Sequence, residues 1–219
     1  MTLRDPRYAA AARLCTFAAM VAGVVLEASG PTTLVGLLPY FTIQSNIAYG
    51  IYAAWAAARA RRGDLETSAP VKGAVTLYVA ITGLVYHLVL ANPASAFYAG
   101  PTHFTPAEAV GNQLLHTVVP LLAVLDWLVF DRRRRYCWRY ALYWLAGPLA
   151  YLGFAVVRGL AEHTYPYPFL DVNDLGYGGL AVSAAGFALA FWVLGLLFVL
   201  IDRIPTSRKE SAREAHEPA

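Results

Sequence analysis

Charge is what this sequence has least of. Charged residues make up 14% of its 219 positions, where soluble domains carry about 25%. With 58% hydrophobic residues and a mean hydropathy of +0.47, the composition excludes an ordinary water-soluble domain. Cysteine is nearly absent: Cys15 and Cys137 are the two, with no disulfide framework and no spacing of the kind that holds a metal. No internal repeat is visible, which argues against a transporter built from inverted halves. Lysine and arginine are almost missing from one side of the molecule, and that absence orients the rest.

Long apolar runs are what remains. A membrane span needs roughly 20 mostly apolar residues, and six stretches qualify: about 9–29, 41–60, 72–91, 111–130, 139–160 and 178–202. They predict an all-α fold, a six-helix transmembrane bundle, because lipid leaves no partner for unpaired backbone groups. A single integral membrane domain over 1–205 leaves a polar tail at 206–219. Sixteen of the seventeen Lys and Arg residues fall at the N-terminus, in alternate connections (Arg59 to Lys72, Arg132 to Arg139) and in the tail, while the other connections hold only Arg158. Positive-inside bias then puts both termini in the cytoplasm. Both cysteines map near that reducing face. A cleaved signal peptide is the competing reading of the first span, but its apolar run is long for one. The net charge of +3 reads as topology, not as a nucleic-acid surface, and Arg132 to Arg135 read as a stop signal that also meets anionic lipid.

The two longer outer connections carry aromatics and prolines, notably Phe97, Tyr98, His103 and Phe104 in the first and Tyr165-Pro166-Tyr167-Pro168-Phe169 in the second. They read as lids over the outer mouth of the bundle. Beneath them, span 2 opens with Thr42-Ile43-Gln44-Ser45-Asn46. Thr42, Ser45 and Asn46 share a helical face and Gln44 does not. Inter-helix hydrogen bonding is the plain explanation, but four polar groups in five residues are expensive to leave toward lipid. In span 4, Asn112, His116, Val119, Ala123 and Asp126 form one stripe. Pro120 has no N–H for the His116 carbonyl and loosens the helix there. His87 and Arg158 reach a similar depth. Arg158 either holds a substrate carboxylate or pairs with Glu162 four residues on. Asp126 and Asp131 read as partners of nearby arginines.

A threonine hydroxyl becomes nucleophilic when a base takes its proton, and neutral imidazole suits that task near pH 7. A Thr42–His116 pair at similar depth would therefore suit acyl transfer or ester hydrolysis. Asn46, Gln44 or Asn112 could donate N–H groups to the oxyanion. Asn112 or Glu162 would have to orient the histidine.

The chain resembles the family of the androgen-induced protein and the androgen-dependent TFPI-regulating protein, and more closely its bacterial six-span relatives. The resemblance rests on Phe41-Thr42 at the start of span 2, on Asn112-x-x-x-His116-Thr117-Val118-Val119-Pro120, and on Tyr167-Pro168-Phe169-Leu170. It implies a multi-pass threonine hydrolase of the bacterial cytoplasmic membrane. Such an enzyme cleaves fatty acid esters of hydroxy fatty acids without a cofactor or metal, with Thr42 as nucleophile and His116 as base. Membrane lipid and a lipid-like ester are the partners implied. The Gln44-Ser45-Asn46 run and Arg158 depart from the animal members of that family. Two other readings use the same residues: a b-type haem protein ligated by His87 and His116, and a lipid-binding or transport protein with no chemistry.

Overall fold

The computed structural model describes residues 5–100 and 103–204; the tail at 206–219 lies outside them. Six helices build the bundle: α1 Pro6–Glu27, α2 Phe41–Ala60, α3 Ala69–Leu90, α4 Pro106–Phe130, α5 Trp138–Glu162 and α6 Val172–Asp202. There is no strand among the described residues. All but α2 are long and apolar enough to cross a membrane, which makes this a multi-pass membrane protein. α2 is 20 residues long but less hydropathic, because Gln44, Ser45 and Asn46 sit in its first two turns. Burial explains how it tolerates Ser45 and Asn46, which lie inside with Thr42, Tyr49, Ala53, Ala56, Ala57 and Ala60; Gln44 is exposed and donates to the Leu38 carbonyl.

Local chemistry sets the helix starts, which precede several of the apolar runs. Asp5 accepts from the Arg7 N–H ahead of Pro6. Thr105 and Glu108 form a reciprocal capping box around Pro106, so α4 begins five residues before the run at 111–130. Asp171 caps α6, and Gly176, at φ 65°, bends it. A side chain at that φ would be strained, and the bend lies close to residue 178, where the apolar run begins. α5 is interrupted between Trp138–Tyr143 and Ala146–Glu162.

Small residues let α1 and α2 approach closely. Met20, Val24, Tyr49, Ala53, Val79, Leu115 and Val119 share one core cluster drawn from α1 to α4. A second joins α3 and α4 to α5 and α6, where Trp127 stacks between Tyr136 and Phe198.

Two cations that mark the cytoplasmic side in sequence are not loop residues. Arg13 and Lys72 are fully buried, and both meet Asp126 of α4. Arg13 Nε donates to Asp126 Oδ1 at 2.9 Å, its second terminal nitrogen lies 3.7 Å from Asp131, and it also donates to the Ala56 carbonyl. Lys72 faces the Tyr49 and Tyr52 rings. The expected arginine partners of Asp126 near it in sequence are thus replaced by a residue of α1 and one of α3. This ionic cluster ties four helices together at one end.

Candidate active site

At the opposite end of the bundle, Thr42 and His116 meet. Thr42 occupies the first turn of α2, and His116 lies in a π-helical turn, Leu114–Val118, inside α4. Such single wide turns recur at functional sites. Here Pro120 supplies the cause, since it cannot donate to the His116 carbonyl. That carbonyl lies against Gly83 of α3: a Cβ there would stand 2.9 Å from it and 3.3 Å from the Pro120 ring. Gly83 therefore lets α3 and the loosened turn close up.

Thr42 Oγ1 lies 3.2 Å from His116 Nε2, and His116 Nδ1 lies 3.0 Å from the Asn112 carbonyl. A carbonyl only accepts, so Nδ1 carries the proton in a neutral ring and Nε2 is left to accept from the threonine hydroxyl. The orienting group is thus the backbone of Asn112, one helical turn back, and neither its side chain nor Glu162. Tyr86 stacks on the imidazole at 4.1 Å between centroids, which holds the ring plane.

Tyr167 completes the arrangement. Its hydroxyl accepts from the Thr42 N–H at 3.3 Å and lies 3.4 Å from Thr42 Oγ1. Burial pushes its phenol above the usual value, opposed in part by its hydrogen bonds with Thr42, so it stays protonated and able to donate. The chain of donors then runs from Tyr167 to Thr42 to His116 to Asn112. Tyr40 begins α2 without a side-chain cap; the Thr42 N–H goes to Tyr167 and those of Ile43 and Gln44 to the Tyr40 carbonyl, and the helix brings its positive end here. Tyr167 lies in the connection between α5 and α6, read from sequence as a lid. The segment is instead a wedge: Tyr167, Phe169 and Leu170 are buried, and Ser183 pins the Phe169 carbonyl.

The other sequence candidates divide. Asn46 is fully buried and donates to the carbonyls of Thr42 and Leu115, so it locks α2 to α4 and is not free for an oxyanion. Ser45 pairs with Thr82 of α3. Gln44 faces away and donates to the Leu38 carbonyl. The Asn112 amide faces Glu27 and Tyr86. His87 is exposed and meets Thr117, so it and His116 are turned to different neighbours. Arg158 is paired with Glu162 and reaches neither Thr42 nor His116. No cluster of three His, Cys, Asp or Glu side chains suited to a metal occurs among the described residues.

Two spaces flank the pair. A cavity of about 670 Å³ on the His116 side is lined by Glu27, Tyr40, Thr42, Tyr86, Glu108, Asn112, His116 and Tyr167, among others. On the far side of Thr42 lies a narrower apolar groove of about 70 Å³ with Phe41, Ile81, Val85, Leu152, Phe187 and Phe191. Thr42 and Tyr167 belong to both walls. Glu27, Glu108, Tyr86 and Tyr167 escape a reading of sequence alone. For Tyr167 the hints were the lid reading of its loop and the Tyr167-Pro168-Phe169-Leu170 segment of the resemblance. In comparisons with known proteins, no family model, no curated protein and no solved structure matches the chain.

Proposed function

We propose that this protein is a membrane-embedded hydrolase of long-chain esters, with Thr42 as nucleophile and His116 as general base. One observation carries the reading: Thr42 Oγ1 lies 3.2 Å from a histidine nitrogen whose ring partner is tied to a carbonyl. That geometry is within reach of direct proton transfer. Thr42 Oγ attacks the ester carbonyl as its proton passes to His116 Nε2. The carbonyl oxygen becomes an oxyanion beside the Tyr167 hydroxyl and the N-terminus of α2, where donors and helix dipole favour negative charge. His116 then gives the proton to the departing alcohol oxygen, leaving an acyl-threonine. Water, deprotonated by the same nitrogen, releases the fatty acid and restores the hydroxyl.

The ester chemistry matches what the resemblance to the androgen-induced protein family implies, and fatty acid esters of hydroxy fatty acids, whose alcohol portion ends in a carboxylate, are the reference against which other long-chain esters are compared. In this reading the chain crosses the bacterial cytoplasmic membrane six times, α2 included, with both termini in the cytoplasm and the site toward the outer leaflet.

The test is hydrolysis of long-chain esters by purified protein in lipid nanodiscs, with trapping of the acylated residue. Thr42→Ala and His116→Ala should each lower kcat by about a thousandfold or more, and the acyl group should be recovered on Thr42. Full turnover by Thr42→Ala would end the proposal.

A further inference from the structure

The cavity on the His116 side has a chemical bias that a plain ester does not explain. Glu27, from the end of α1, and Glu108, from the first turn of α4, both line it. Glu108 is buried, held by Thr105 and packed where Gly30 has no side chain: a Cβ on Gly30 would strike its carboxyl. The Glu27 carboxyl faces the Asn112 amide, but its Oε1 is shielded and accepts from no donor. Asn112, only 6% exposed, lines the same cavity with Oδ1 also unpartnered. Buried acceptors without donors are costly, and an occupant that donates hydrogen bonds relieves the cost.

Sign matters as much as hydrogen bonding. No Lys or Arg is among the described residues lining the cavity. Arg158, the only such residue in the outer connections, is engaged by Glu162. His103 and His116 also line it, but an anionic group would meet two carboxylates and no permanently charged cation. Tyr40, Tyr86 and Tyr98 also contribute to the wall, and tyrosine faces attract cations.

The reaction geometry says which part of a substrate enters. His116 must reach the departing alcohol oxygen, so the alcohol portion lies on its side of Thr42. The acyl chain then extends into the apolar groove beyond. We infer that the cavity binds a protonated amine on the alcohol portion, so that the enzyme acts on long-chain esters of amino alcohols. This rests on the proposed hydrolase chemistry for the identity of the alcohol side, although the amine site itself does not.

Three palmitate esters separate the possibilities: that of dimethylaminoethanol, protonated near neutral pH with one N–H donor; that of isopentyl alcohol, its carbon isostere; and that of hydroxybutyrate, which ends in a carboxylate. A charge-assisted hydrogen bond should favour the amine ester over its isostere by roughly tenfold or more in kcat/KM, with the carboxylate ester lowest. Glu27→Gln and Glu108→Gln should each shrink the amine-to-isostere ratio, glutamine keeping the capping contact of Glu108. A ratio of one in the wild type, or a preference for the carboxylate ester, overturns the inference while leaving ester hydrolysis intact.

Binding separates the two readings when turnover is absent. Non-hydrolysable ethers of the same three alcohols are compared in Thr42→Ala protein by the rise in Tm in nanodiscs. Preferential stabilisation by the amine ether that is lost on adding Glu27→Gln supports the amine site even when no ester is cleaved. Equal stabilisation by all three ethers sinks it.

Discussion

At the scale of single residues, the site is a short relay of donors with one direction. The Asn112 carbonyl fixes the imidazole tautomer, and the imidazole nitrogen then draws on the Thr42 hydroxyl. Tyr167 is the group that sequence reasoning passed over, because tyrosines in a proline-rich loop look like interface residues. Tyr167→Phe removes one hydroxyl from a buried ring. We expect kcat to fall by roughly a hundredfold, the usual effect of losing one oxyanion donor, with Tm changed little because the ring still packs on Phe169. Parallel turnover and melting measurements check this; unchanged kcat would remove Tyr167 from the chemistry. Spacing put Thr42 on one face with Ser45 and Asn46, and Asn112 on one face with His116, since polar groups at i, i+3 and i+4 lie together; it did not say that the two faces meet. Spacing already turned Gln44 away from the face of Thr42, but Arg158 was not separable, because sequence says which residues share a depth and not which way a neighbouring helix stands.

At the scale of the element, the relay depends on a helix that is not regular. Pro120 opens α4 one turn below the histidine, the turn widens to a π turn, and Gly83 of α3 fills in behind it. Pro120 made a local loosening predictable from sequence, but its form was not, since a π turn forms only where a neighbouring helix leaves room for the displaced carbonyl. Gly83→Ala is therefore expected to push α3 and α4 apart, lowering Tm and reducing turnover by about tenfold or more, as small displacements of reacting groups do. Gly153→Ala serves as control, for a Cβ there meets nothing within 4 Å, and should leave both measurements near wild type. Equal behaviour of the two variants would show that the close approach at Gly83 is unimportant.

At the scale of the whole molecule, the bundle is pinned at one end by charge and worked at the other by hydrogen bonds. Asp126 receives both Arg13 and Lys72, all three buried. Asp126→Ala removes the ion-pair partner of buried Lys72 and leaves Arg13 with Asp131 and the Ala56 carbonyl, and should cost about 3–5 kcal/mol of stability. Breaking the half-exposed Arg59–Asp64 pair through Asp64→Ala should cost about 1 kcal/mol or less. Thermal melting in nanodiscs compares them, and a mild loss for Asp126→Ala would mean the cluster does not hold the helices. Topology has its own test: reporters fused to each end should both read as cytoplasmic, and an external reading for either end would reverse the assignment of the site to the outer leaflet.

Composition and periodicity alone determined that this chain is helical and multi-pass, because apolar length is a property of the chain read in order. They also marked Thr42 and His116, because a costly polar group in an apolar run must be satisfied by something. Tertiary structure alone decided what satisfies it. Residues 42, 116 and 167 belong to different segments, and only the packing of α2 against α3 and α4, with the wedge after α5, sets their distances. The same holds for Arg13 and Lys72, whose charges look like surface markers until a carboxylate 113 and 54 residues away closes on them. Sequence order carries the cost of each polar group; only three-dimensional contact supplies its partner.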